Sequence, residues 1–179
     1  ILKAPTVNAG IDNAFCNNAN VPLNGLVAGF TNTGMWTSTG TGTFSPNNTS
    51  LTGSYIPSLA DISNGTVKIV LESTNNKGCS AQRDTLVVTF KPAPTANFTY
   101  SVACATKPVA FSDLSVGSIA THNWNFGDGG TAISQNAIHT YTLANTYTVT
   151  LIVAATNGCI DTVDKTVTVY ELPIAYFKY

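Results

Sequence analysis

The sequence predicts an all-β chain built as two antiparallel β-sandwiches in tandem, joined by a proline-rich linker. Three observations carry that expectation. The chain repeats itself with a period of about eighty residues, its apolar residues alternate with polar ones in short runs, and no window has helical periodicity. At 179 residues it holds two small domains, each large enough to bury one core without a metal.

The repeat is legible in fixed landmarks. Cys16 and Cys104 are each followed twenty residues on by a tryptophan, Trp36 and Trp124. Each half then closes on a glycine–cysteine pair, Gly78-Cys79 and Gly158-Cys159. An aspartate follows five residues later (Asp84, Asp164) and an aromatic eleven residues later (Phe90, Tyr170). These landmarks divide the chain into modules at 1–91 and 92–171, with 172–179 opening a third. The last segment, Pro173-Ile174-Ala175-Tyr176-Phe177-Lys178-Tyr179, repeats the pattern of Pro94-Thr95-Ala96-Asn97-Phe98-Thr99-Tyr100. Ile1 to Thr6 reads as the end of a last strand and its linker.

Taken in order, the first module predicts a tryptophan strand around Trp36, then a connector at Pro57-Ser58-Leu59-Ala60-Asp61-Ile62. There Ser58 can cap a single helical turn. Alternating runs at Thr66–Glu72 and Thr85–Phe90 predict the last two strands. Lys91-Pro92-Ala93-Pro94-Thr95 is a stiff linker, because two prolines fix φ and withhold donors. In the second module Trp124 and Phe126 stand two apart and fill the core from one strand face. Gly127-Asp128-Gly129 supplies the backbone freedom of a tight hairpin, and Asp128 is placed to bond nearby backbone N–H groups. Strands at Tyr147–Val153 and Thr166–Tyr170 close the module.

The run Trp124-Asn125-Phe126-Gly127-Asp128-Gly129, then His139-Thr140-Tyr141, then Tyr147-Thr148-Val149-Thr150-Leu151 resembles the PKD domain. The resemblance covers roughly 96–170 and implies an immunoglobulin-like sandwich, with His139 and Tyr141 in structural roles. The first module lacks Phe-Gly-Asp-Gly. Its Trp36, Thr39-Gly40-Thr41-Gly42-Thr43-Phe44, Tyr55-Ile56-Pro57 and Gly65-Thr66-Val67 resemble PKD-like repeats. Such repeats alternate with PKD domains in giant surface proteins of Bacteroidetes, including SprB-type gliding-motility adhesins. The resemblance implies an extracellular, cell-surface setting, with neighbouring repeats and surface glycans as partners. It also leaves calcium open, since some PKD-family members bind it. A substrate-docking role beside a secreted enzyme is the alternative. Asp84-Thr85-Leu86 and Asp161-Thr162-Val163 resemble a Bacteroidetes O-glycosylation motif, although both also fit ordinary strands.

The residues themselves exclude several functions. Eight Lys and Arg are scattered singly and net charge is -1, so no basic face exists for nucleic acid. No apolar run reaches membrane-spanning length. His122 and His139 are the only histidines, and the chain has few reactive groups to converge into a nucleophile–base–acid arrangement, so no enzyme is expected. The nine Asp and Glu are isolated and no Cys-x-x-Cys occurs, so no metal is expected from the residues.

Four cysteines in matched positions predict disulfides in an oxidising compartment. Duplication favours Cys16–Cys79 and Cys104–Cys159, within modules. Strand order argues the other way. Cys104 lies between the first two strands and Cys159 between the last two, at opposite ends of a simple sandwich and beyond the ~5.5 Å that a disulfide spans. A kinked first strand or pairing across the junction are the ways out, and pairing within modules is the expectation.

Overall fold

The computed structural model describes residues 4–173, so the expected third-module strand beyond Pro173 and the segment 1–3 lie outside the described residues. The chain divides into two compact units, Ile1–Lys91 and Pro92–Tyr179.

The first unit runs β1 (Thr6–Asn8), β2 (Asn13–Cys16), β3 (Val21–Asn24), β4 (Leu26–Ala28), β5 (Gly34–Ser38), β6 (Thr43–Ser45) and β7 (Thr52–Ile56). Helix α1 (Leu59–Asn64), β8 (Thr66–Ser73) and β9 (Arg83–Lys91) complete it. One sheet has the order β2-β9-β8-β5 and the other β3-β7-β6, with β1 paired to β4. Alternation sends Val67, Ile69 and Leu71 of β8 and Leu86, Val88 and Phe90 of β9 inward. They meet Val21, Leu23, Trp36 and Tyr55 there. Helix α1 forms where the connector was expected. Ser58 accepts from the Asp61 N–H and Asp61 reaches back to the Ser58 N–H, a reciprocal capping box. Gly65 at φ 75° ends it.

The second unit runs β10 (Phe98–Tyr100), β11 (Ala103–Cys104), β12 (Pro108–Asp113), β13 (Ile119–Asn125), β14 (Thr131–Ala132) and β15 (Ala137–Thr140). It ends with β16 (Asn145–Ala155) and β17 (Ile160–Tyr170). Its sheets are β10-β12-β15 and β11-β17-β16-β13-β14. Phe98, Val109 and Phe111 from one sheet face Trp124, Val149, Leu151, Val153, Val167 and Val169 from the other. Both units are thus two-sheet sandwiches, and in both the opening strand is split between the sheets. Its first part pairs on one sheet, while its second, β2 or β11, crosses to lie parallel to the last strand, β9 or β17.

Where the opening segment lacks a strand partner, side chains of the last strand replace one. Asp84 Oδ2 accepts the Ala9 N–H at 2.7 Å and Asp161 Oδ2 accepts the Ala96 N–H at 2.8 Å. Sequence spacing equated Asp84 with Asp164. Asp164 instead accepts from Thr150 Oγ1 on β16, and Asp161 does the work that Asp84 does in the first unit.

The within-module disulfides do not form. Cys16 and Cys159 are disulfide-bonded, while Cys79 and Cys104 are free thiols. The split strand explains why. Cys16 sits opposite Lys91, at the far end of β9, whereas Cys79 lies in the turn before β9 begins. Nine residues of strand, about 30 Å, keep them apart. Cys104 sits likewise opposite Tyr170, and eleven residues of β17, about 35 Å, separate that end from the turn holding Cys159.

Candidate functional site

The structural-motif residues that the sequence singles out come together in the second unit, where the Trp–Phe-Gly-Asp-Gly hairpin meets its His-x-Tyr partner. The hairpin joins β13 to β14, with Trp124 opposite Ala132 and the Phe126 N–H bonded to the Gly130 carbonyl. Gly127 and Gly129 take φ of 83° and 96°, where a side chain strains the backbone. A Cβ at Gly127 would also stand 2.5 Å from the Thr148 carbonyl oxygen.

The turn aims Asp128 at β15. Its Oδ1 accepts the Gly130 N–H at 2.9 Å, and its Oδ2 lies 2.7 Å from Nε2 of His139. The imidazole lies flat on Phe126, with centroids 4.2 Å apart and planes 4° from parallel, and meets Tyr141 edge-on at 4.6 Å. Tyr141, buried, donates to the Phe126 carbonyl at 3.1 Å. Trp124, also buried, donates from Nε1 to the Ser134 carbonyl at 2.9 Å. Burial opposes the charge on Asp128, but the hydrogen bonds from His139 and the Gly130 N–H outweigh it and hold the carboxyl below its usual range. Burial, with the charge of Asp128 added, pushes the Tyr141 phenol far up. Phe126, Asp128, His139 and Tyr141 therefore form a lock between the two sheets. The second histidine, His122, shares the face of Trp124 as alternation requires, and its Nε2 lies 2.9 Å from Asp113 Oδ2 on the opposite sheet. Each imidazole is engaged by an aspartate from the opposite sheet, so the arrangement fastens strands.

The first unit has a corresponding centre that sequence reading missed. Asp61, only 2% exposed, accepts from the backbone N–H groups of Thr41, Gly42 and Ser58 and from the Tyr55 hydroxyl at 2.7 Å. Burial alone would raise its pKa. The Ser58 N–H, the Tyr55 hydroxyl and the Thr41 N–H overcome that and bring it down to about 2. The capping signature Ser58-x-x-Asp61 was visible, but nothing local showed that the same carboxylate would gather the Thr41-Gly42 loop. Trp36 is buried and donates to the Ser50 carbonyl at 3.0 Å.

The tyrosines differ in exposure. Tyr55 and Tyr141 are buried, whereas Tyr170 is 60% exposed and Tyr100 37% exposed. Both line a cleft of about 430 Å³ where the opening strand crosses between sheets. Among the described residues no three His, Cys, Asp or Glu side chains stand together as a metal site.

Residues 91–169 match the family model of the PKD domain. The second unit is a PKD domain. The chain is similar to the PKD1 domain of Vibrio anguillarum Epp, with 29% identity over 45% of this chain and 96% of that one and a TM-score of 0.42. It is also similar to the PKD1 domain of the Vibrio cholerae metalloprotease PrtV, with 33% identity over 44% and 98%, at 0.41. The fibronectin(III)-like modules of Clostridium thermocellum CbhA cover 98% of this chain and 100% of theirs at 11% identity and a TM-score of 0.42. PKD domains are non-catalytic modules, and a PKD domain accompanied by disulfide-bonded cysteines fits an extracellular setting. No described helix is long and apolar enough to cross a membrane.

Proposed function

We propose that the chain is a load-bearing spacer and display segment of a large extracellular surface protein, of the kind represented by SprB-type gliding-motility adhesins. The parallel pairing of opening and closing strands in both units carries this reading. Tension between the ends of a unit slides β2 along β9, or β11 along β17, so the bonds of the pair resist together. A terminal antiparallel hairpin would unzip one bond at a time. The Asn17 N–H to Lys91 carbonyl and Ala105 N–H to Tyr170 carbonyl bonds, both 2.9 Å, extend the two parallel pairs. Engagement of both histidines with aspartates agrees with a structural role. Neighbouring repeats are its partners, and surface glycans are candidate adhesion targets.

Pulling single molecules from their two ends tests this. Each unit is expected to give one abrupt force peak, and Ala105→Pro, which removes a donor to Tyr170, lowers the second unit's peak alone. Gradual extension without peaks would overturn the reading. The alternative, a polysaccharide-docking module of a secreted enzyme, is favoured by the Tyr100–Tyr170 cleft with its Thr99, Ser101 and Thr168 hydroxyls. Saturable retention on insoluble polysaccharide, lost in Tyr170→Ala, would promote it.

A further inference from the structure

The four cysteines occupy only two kinds of position. Cys16 and Cys104 each end the short parallel strand, opposite the final residue of the module's last strand. Cys79 and Cys159 each sit in the turn leading into that last strand, directly after a glycine at φ 87° or 86°. Every module thus carries a strand-end cysteine and a turn cysteine, a full strand length apart. The disulfide-bonded cysteines are one of each kind, strand-end Cys16 and turn Cys159. The free thiols are again one of each kind, turn Cys79, which is exposed, and strand-end Cys104, which is half-buried. Cys104 lies on β11, the outermost strand of its sheet, and is partly exposed.

We propose that Cys79 and Cys104 are cross-linking sites for further modules of this kind, joined head to tail. Cys104 takes the turn cysteine of one neighbour, and Cys79 takes the strand-end cysteine of another. Such a contact uses two different surfaces, so it propagates instead of closing on itself. It does not depend on the mechanical reading above, because the cysteine positions alone define it. Each bond forms by two thiol–disulfide exchanges with a disulfide-carrying oxidant. One protein thiolate attacks the oxidant and forms a mixed disulfide, and the second protein thiolate then displaces the remaining half. The two protein thiols lose two electrons and two protons, and the oxidant leaves as two thiols.

A second copy of the chain serves as the probe. Cys104→Ser leaves Cys79 as the free thiol and Cys79→Ser leaves Cys104, with Cys16 and Cys159 untouched. The two variants, distinguished by an isotope label, are mixed equally in a glutathione buffer containing the oxidised form. The expected result is a Cys79–Cys104 heterodimer in about tenfold excess over either homodimer. The unsubstituted chain should give a ladder of oligomers whose cross-linked peptide is Cys79–Cys104, a readout that needs no substitution to fold. Homodimers at their random share, a Cys79–Cys79 peptide throughout the ladder, or a Cys79–Cys104 bond confined to monomers would each overturn the proposal.

Discussion

Trp36 and Trp124 donate to the carbonyls of Ser50 and Ser134, 14 and 10 residues downstream, and around that shared bond the two units part ways. In the second unit the support is aromatic. Phe98 meets Trp124 edge-on at 5.2 Å, Phe111 lies between Trp124 and Phe126, and His139 links Phe126 to Tyr141. Tyr147 then stacks on Tyr141 at 4.3 Å. In the first unit Phe44 and Tyr55 are the aromatic pair, and a buried carboxylate, Asp61, collects the loop, the helix cap and the tyrosine. Ring stacking is spread over many contacts and tolerates local loss. A buried ion with several donors acts as a unit, because losing it strands each donor.

The largest expected effects fall on the tryptophan that each unit holds in its core. Trp36→Ala and Trp124→Ala should each remove about 3–5 kcal/mol from their own unit. Denaturant unfolding followed by unit-specific amide exchange would show this, and loss spread equally over both units would refute their independence. The next effect belongs to the first unit alone. Asp61→Ala leaves three backbone N–H groups and the Tyr55 hydroxyl without their acceptor, and should destabilise that unit by about 3 kcal/mol.

Acid acts on the hydrogen-bonded carboxylates of both units. A carboxyl held at about 2 stabilises the fold fully above the ordinary range near 4, and that contribution disappears as pH falls toward 2. For Asp61 the loss is about 2 kcal/mol, and Asp61→Asn should abolish it. Asp113 and Asp128 in the second unit are also lowered, so their contribution has the same sign and is likewise lost on acidification. Burial opposes both, and hydrogen bonds from Ser115 to Asp113 and from His139 to Asp128, with smaller help from His122 and Gly130, prevail. Thermal melts between pH 5 and pH 2 measure this, and first-unit stability that rises on acidification would contradict the assignment.

Much of the second unit was legible because its signals are local. The two-residue spacing of Trp124 and Phe126 fixes a strand face, and the glycines flanking Asp128 fix the turn. The first unit was legible in its strands and its Ser58 cap, but not in the reach of Asp61 to Thr41 and Gly42, twenty and nineteen residues back. Such a contact exists only once two loops have been brought together by the sheets. The cysteine pairing failed for a related reason. Equal spacing shows that two positions correspond between modules, but says nothing of the distance between positions within one. That distance is set by the crossing of the opening strand.

The same crossing governs how such a protein can grow. Because β2 and β11 run alongside β9 and β17 in the same direction, the chain enters a unit at one end and leaves at the other. Circular permutation would need a new connector long enough to return about 30 Å along the sandwich. Tandem duplication needs none, since the exit of one copy is already free to become the entrance of the next. A gene for this fold therefore lengthens by copying far more readily than it rearranges.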